Sequence, residues 1–137
     1  MCIYLAKRKV SKGFIKNYIE FNYGYDLNYD LDNLQKNYKF TSKSKDSVPQ
    51  AIFCFLKSND FEDSIRKAIS IGGDSDTIAA ITGSIAEVYY EVDEDLIREV
   101  ESYLPDYIID ITNKFYKTIG KNEPFKKEKT QIKTKPI

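Results

Sequence analysis

Between Ser47 and Tyr90 the apolar residues recur at helical spacing, and the pattern is interrupted at only two places. This stretch limits the fold more than any other feature. Ser47-Val48-Pro49 reads as a helix start, because proline in a first turn forgoes an N–H that has no partner there anyway. Ala51, Ile52, Phe53, Phe55 and Leu56 follow, so this helix is apolar nearly all round and belongs at the centre of a bundle. Ser58-Asn59-Asp60 ends it, and Asp60 caps a helix from Phe61 to about Ser70, with Asp63 in its acidic first turn. Gly72-Gly73 breaks the chain again, and a further helix runs from about Ser75 to Tyr90. Ala79, Gly83 and Ala86 give this last helix a small-residue face. Ile78, Ile81, Ile85 and Val88 give it a bulky one.

The flanks follow the same period. Residues 1–9 read as the end of a helix that lacks a cap, which suggests that a larger domain begins upstream. Ser11 caps a helix over about 12–22, and Gly24 stops it. Residues 25–46 read as loop with one helical turn near Leu31–Leu34. Asp93-Glu94-Asp95 opens a helix that ends near Leu104. After Pro105, the residues Ile108, Ile111, Phe115 and Ile119 continue the period. Residues 121–137 form a basic tail without periodicity, read as disordered. There is no internal repeat and no period-two pattern, so the predicted fold class is all-α, a helical bundle over residues 1–120.

Composition removes several kinds of chemistry. The 137 residues contain no histidine, so serine–histidine and cysteine–histidine catalysis and histidine-ligated metals are excluded. Acid–base work would fall to Asp, Glu, Lys, Tyr or Cys. Two cysteines far apart suit neither a disulfide framework nor a thiolate cluster, and a reducing cytoplasm is the expected location. Lys plus Arg and Asp plus Glu both number 21, giving no electrostatic case for nucleic acid or anionic membrane as partner. No apolar run reaches the roughly 18 residues that span a bilayer.

One segment carries chemistry: Gly72-Gly73-Asp74-Ser75-Asp76-Thr77. The glycines allow unusual backbone and close approach of a ligand. Asp74, Asp76 and Thr77, on a first helical turn, can aim two carboxylates and a hydroxyl at one point. Those are hard oxygen donors, suited to magnesium, calcium or manganese. Free N–H groups at the same helix end favour an anion such as phosphate. The simpler alternative is a glycine turn in which Asp74 or Ser75 is only a helix cap. A calcium hand lacks its later ligands. A phosphatase-type Asp-x-Asp-x-Thr loop would need a preceding strand, where this chain has a helix.

The stretch from Ser47 to Tyr90 resembles the ADP-ribosylglycohydrolase family, in its penultimate core helices and its second metal motif, Gly-Gly-Asp-x-Asp-Thr. The likeness extends more weakly to Ser11-Lys12, to Tyr25-Asp26-Leu27 and onward to Ile119. It implies the C-terminal portion of that family's all-α domain. It further implies that Asp74, Asp76 and Thr77 ligate one or two Mg2+ or Mn2+ ions, and that Ser47, Gly72 and Gly73 contact the nucleotide. The implied activity is metal-dependent hydrolysis of an ADP-ribose glycosidic linkage, with an ADP-ribose-containing ligand as partner. The family also carries a Gly-Asp-x-x-Gly segment and a Thr-Asp-Asp motif in an N-terminal half, and neither is present here. The expectation is therefore a chain that is inactive alone, with no catalytic residue assignable. Other readings are one subunit of a split enzyme, or a non-catalytic helical interaction protein, as crystallin-like members of the superfamily suggest. A half-domain should also expose apolar faces on the helices at 49–57 and 75–90, and so self-associate or bind a complementary chain.

Overall fold

A computed structural model of the chain describes residues 1–41 and 43–125. Among them there are eight helices and no strand. The all-α reading holds. The chain divides into two units, 1–91 and 92–137.

The first unit holds α1 (Cys2–Lys7), α2 (Lys12–Tyr23), α3 (Leu31–Asn37), α4 (Ser44–Lys57), α5 (Phe61–Ser70) and α6 (Ser75–Tyr90). Local signals set most of these boundaries. The Ser11 hydroxyl accepts from the Phe14 N–H at 3.2 Å and starts α2. Gly24, at φ +67°, closes it in the left-handed conformation. Asp30 caps α3 through the Asn33 N–H at 2.8 Å. Asp60 caps α5 through the Asp63 N–H at 2.7 Å, and the Asp63 carboxylate returns a bond to the Asn59 N–H at 2.9 Å. This reciprocal pairing satisfies two N–H groups that lie outside the helical ladder.

Two boundaries differ from the sequence reading. Helix α3 extends to Asn37 rather than ending near Leu34. Helix α4 begins at Ser44, three residues before the predicted start, so Ser47 lies inside it and Pro49 is a helical residue. Long-range support explains the extra turn: the Tyr38 hydroxyl donates to the Asp46 carbonyl at 2.9 Å. Proline removes the N–H that would reach the carbonyl of Lys45, and Lys45 is exposed, where water can replace the lost donor.

Helix α4 is the centre of the unit. Ser47, Pro49, Gln50, Ala51, Ile52, Phe53, Cys54 and Phe55 are all buried, covered mainly by α5 and α6, with α2 against one end. The apolar face expected on this helix is therefore filled from within the chain. Ile78, Thr82, Ile85 and Ala86 of α6 are buried too. Large exposed apolar side chains occur elsewhere, among them Phe14 and Phe21 of α2.

Helices α4 and α6 run in the same direction. The Thr82 hydroxyl bonds the Ala51 carbonyl at 3.1 Å, and eight residues later the Tyr90 hydroxyl bonds the Ser58 carbonyl at 2.7 Å. Helix α5 is the return between them. Gly83 makes close packing possible, since a Cβ there would stand 3.1 Å from Ile65 Cδ1. The C-terminal ends of the pair are fastened by Lys12, whose ammonium bonds the Ser58 carbonyl and lies 4.9 Å from the Tyr90 ring centre and 5.3 Å from that of Phe55. Such cation–aromatic contacts each contribute on the order of 1 kcal/mol. The N-terminal ends of the pair are thereby brought together at the opposite pole.

Glu20 ties α2 to the segment leading into α3. Its carboxylate pairs with Lys16 at 2.8 Å and accepts from the Leu27 N–H at 3.0 Å. Lys16, then the Leu27 N–H, hold the Glu20 carboxyl below its ordinary value of 4.5. A group with a depressed folded pKa stabilises the fold above its unfolded pKa, and that contribution disappears as pH falls through the folded value. Acid unfolding of Glu20→Gln should therefore be less steep than that of the wild type below about pH 4.5. Circular dichroism across that range checks it, and parallel curves would contradict the linkage.

The second unit contains α7 (Glu94–Tyr103) and α8 (Asp106–Thr118). Asp93 caps α7 through the Asp95 N–H at 2.7 Å. Pro105 occupies the cap position of α8, as the break in the period predicted. Tyr107, Ile111, Phe115 and Ile119 are exposed along one i, i+4 row. The predicted tail is held at its beginning: the Asn113 carboxamide donates to the Phe125 carbonyl at 3.1 Å and accepts its N–H at 3.3 Å. The rest of that tail, 126–137, lies outside the described residues.

Candidate metal and ligand site

The pole where α4 and α6 begin is built around the double glycine. Gly72 has φ +77° and Gly73 φ +61°, values that L side chains resist. Two successive left-handed residues let the chain leave α5 and enter α6 within four positions. The ring of Tyr38 lies on Gly73, so that an added Cβ would meet it at 2.8 Å. The same tyrosine holds the Asp46 carbonyl. Tyr38 therefore joins the glycine turn to the first turn of α4, and Ser47 follows directly. Tyr38 also lines a cleft of about 380 Å3 with Tyr29, Asn28, Asn33 and Asn37.

Asp74 occupies the cap position of α6, but its side chain makes no capping hydrogen bond. The Thr77 N–H bonds Asp76 Oδ1 at 2.9 Å. The Thr77 N–H first, and the Asp74 side chain second, hold the Asp76 carboxyl below the usual carboxylate range.

Asp74 is half-buried, while Asp76 and Thr77 are exposed. Burial on α6 begins only at Ile78. Ser47 is 3% exposed, and its hydroxyl faces the Lys43 carbonyl at 3.5 Å. Three of the predicted residues, Asp74, Asp76 and Thr77, thus share one helical turn. Gly72 and Gly73 shape it, and Ser47 lies at the neighbouring helix start.

The donor set suits a hard cation in kind, being carboxylate and hydroxyl oxygen. In number it falls short. Among the described residues, no group of three or more Asp, Glu, Cys or His side chains gathers as a metal cluster. Magnesium takes about six oxygens, so water, ligand oxygens or carboxylates of another segment would complete the shell. The two cysteines take no part: burial pushes the Cys54 thiol up to about 12 and that of Cys2 up to about 11. Tyr38 is the residue that sequence reasoning missed here, since nothing in residues 25–46 signals a contact with Gly73.

An all-α bundle with an Asp-x-Asp-Thr turn behind a double glycine defines a class of fold and site. Residues 21–124 match the profile of the ADP-ribosylglycohydrolase family. The chain belongs to that family. Human ADP-ribosylhydrolase ARH3 is 40% identical over 60 residues, covering 36% of this chain and 16% of that protein. The bovine ADP-ribosylhydrolase ARH3 is 38% identical over 72 residues, covering 42% and 20%. An uncharacterised protein of Archaeoglobus fulgidus is 40% identical over 60 residues, covering 44% and 18%. The matched stretch thus spans a fifth or less of each of these relatives. No solved structure matches the chain. No helix among the described residues is long and apolar enough to cross a membrane.

Proposed function

We propose that this chain supplies half of a divalent-metal site for hydrolysis of an ADP-ribose glycosidic linkage. The observation that carries the reading is the Asp74 carboxyl. It stands at the cap position without making a capping bond, and it shares one helical turn with Asp76 and Thr77. A shared Mg2+ or Mn2+ fits that arrangement, and such an ion, when bound, orients sugar hydroxyls and polarises a water. Asp74, Asp76 and Thr77 would hold it. The Gly72-Gly73 backbone permits close approach of the ligand, and the adjacent starts of α4 and α6 favour its diphosphate. Family membership supports the same chemistry.

The short donor set also supports a division of labour. A partner segment carrying Thr-Asp-Asp would complete the coordination, so the chain alone is weakly binding and inactive. Thr-Asp-Asp does not occur in this sequence, so a second copy of it cannot supply that segment.

Calorimetric titration with Mg2+ and ADP-ribose tests the reading, with and without a Thr-Asp-Asp-containing partner chain. Asp76→Ala should weaken Mg2+-dependent ADP-ribose binding by at least about 10-fold, since even residues supporting a metal's ligands contribute roughly 10- to 100-fold. Absence of metal-dependent binding in every combination would leave the non-catalytic interaction protein as the surviving reading.

A further inference from the structure

The cleft beside the glycine turn, about 380 Å3 in volume, has Asn28, Tyr29, Asp30, Asn33, Asn37 and Tyr38 in its walls. Neither Lys nor Arg lines it, so it does not suit a diphosphate. Its chemistry is that of amides. Asn28 donates its NH2 group to Asp26 at 2.9 Å and to Glu20 at 3.3 Å, which leaves its carbonyl oxygen as an acceptor. Asn37 donates to the Asn33 carbonyl, which leaves the Asn33 NH2 as a donor and the Asn37 carbonyl as an acceptor. The Tyr29 ring is held edge-on against Phe53, and its hydroxyl makes no hydrogen bond among the described residues. Amide donors and acceptors beside a fixed aromatic ring match peptide groups, each of which offers one N–H and one C=O.

Two further features favour a chain over a small molecule. Asn28, Asp30, Asn33 and Asn37 are exposed, so the cleft is open to solvent on that side rather than enclosing. The Asp30 carboxylate lines it. Burial first, and then the charges of Asp26 and Asp46, raise the Tyr29 hydroxyl above its ordinary value. Negative charge on this side favours a segment with basic residues. At its other end, Tyr38 carries the cleft to Gly73, and so to the turn of Asp74 and Asp76.

We propose that this cleft holds the polypeptide around an ADP-ribosylated side chain, with peptide groups on Asn33, Asn37 and the Tyr29 hydroxyl. The proposal rests on the ADP-ribose reading above and adds the protein part of the substrate to it.

Calorimetry in Mg2+ tests this by comparing free ADP-ribose with a lysine-containing peptide of about ten residues that carries ADP-ribose on one side chain. The wild type should bind the peptide about 5- to 10-fold more tightly, the contribution of one or two such hydrogen bonds. Tyr29→Phe and Asn37→Ala should remove that excess and leave ADP-ribose affinity unchanged. Their unfolding temperatures should hold, since the tyrosine ring stays on Phe53 and Asn37 is exposed. Asp76→Ala should weaken both ligands together. Equal affinities for the two ligands in wild type, with Asp76→Ala still impaired, overturn the proposal and leave the metal reading standing. Loss of ADP-ribose affinity in Tyr29→Phe or Asn37→Ala also overturns it, because the cleft then holds part of the nucleotide. Peptide binding reduced by Tyr29→Phe and Asn37→Ala but not by Asp76→Ala supports the cleft and counts against the metal reading. Absence of binding by either ligand overturns both.

Discussion

Phe53→Ala should destabilise the first unit by about 3–5 kcal/mol, the usual range for truncating a buried aromatic. Phe53 is 1% exposed and sits in the buried cluster with Ala51, Cys54, Ala68, Ile71 and Ile78. Its ring also meets that of Tyr29 edge-on, with centres 5.5 Å apart and planes at 76°. The pair adds about 1 kcal/mol beyond the area it buries. Tyr29 precedes α3, so removing the ring loosens α3 as well as leaving a cavity. The surrounding positions belong to helices already packed on one another and cannot collapse to fill it. Chemical denaturation should show the loss as a lower midpoint with little change in slope. Phe21→Ala is the contrasting case: Phe21 is 89% exposed, and its removal should change stability by no more than about 0.5 kcal/mol. Equal effects for the two would mean that α4 is not the core helix.

What was legible in the sequence was what neighbouring residues decide. Ser11, Asp30 and Asp60 cap helices through N–H groups three residues away, and Gly24 stops α2 through its own backbone. The helices α5 and α6, with the glycine break between them, follow from such signals alone. The start of α4 did not, because its extra turn depends on a hydroxyl eight residues upstream that must first be placed by packing. Burial of α4 by its own chain was hidden for the same reason: periodicity shows that a face is apolar, not what covers it.

The site divides in the same way. Asp74, Asp76 and Thr77 were readable as a donor set because one helical turn holds them together. Capping and ligation need the same residue types in the same order, so sequence alone left both open for Asp74. The structure adds that its side chain makes no capping bond. Tyr38 was invisible, because it acts across 35 positions on Gly73.

Gly73→Ala should cost about 3 kcal/mol, while Gly72→Ala should cost only about 1–2 kcal/mol, the usual left-handed penalty for a residue with a Cβ. Both glycines have positive φ, but their surroundings differ. A Cβ on Gly72 meets nothing within 4 Å; on Gly73 it meets Tyr38 at 2.8 Å and the Lys39 carbonyl carbon at 3.3 Å. Tyr38 must then shift, and its hydrogen bond to the Asp46 carbonyl lengthens or breaks, adding about 1 kcal/mol more. The first turn of α4 loses the support that set its start, and the pole carrying Asp74 and Asp76 loosens with it. Gly73→Ala should therefore reduce Mg2+-dependent ligand binding as well as stability. Tyr38→Phe isolates the hydroxyl: it keeps the ring on Gly73 and removes only the bond to Asp46. Its stability loss should be about 1 kcal/mol. Denaturation midpoints for the three variants, with calorimetry on each, decide the matter. If Gly72→Ala and Gly73→Ala are equally costly, the ring does not rest on the second glycine, and the link between α4 and the turn carrying Asp74 and Asp76 is lost.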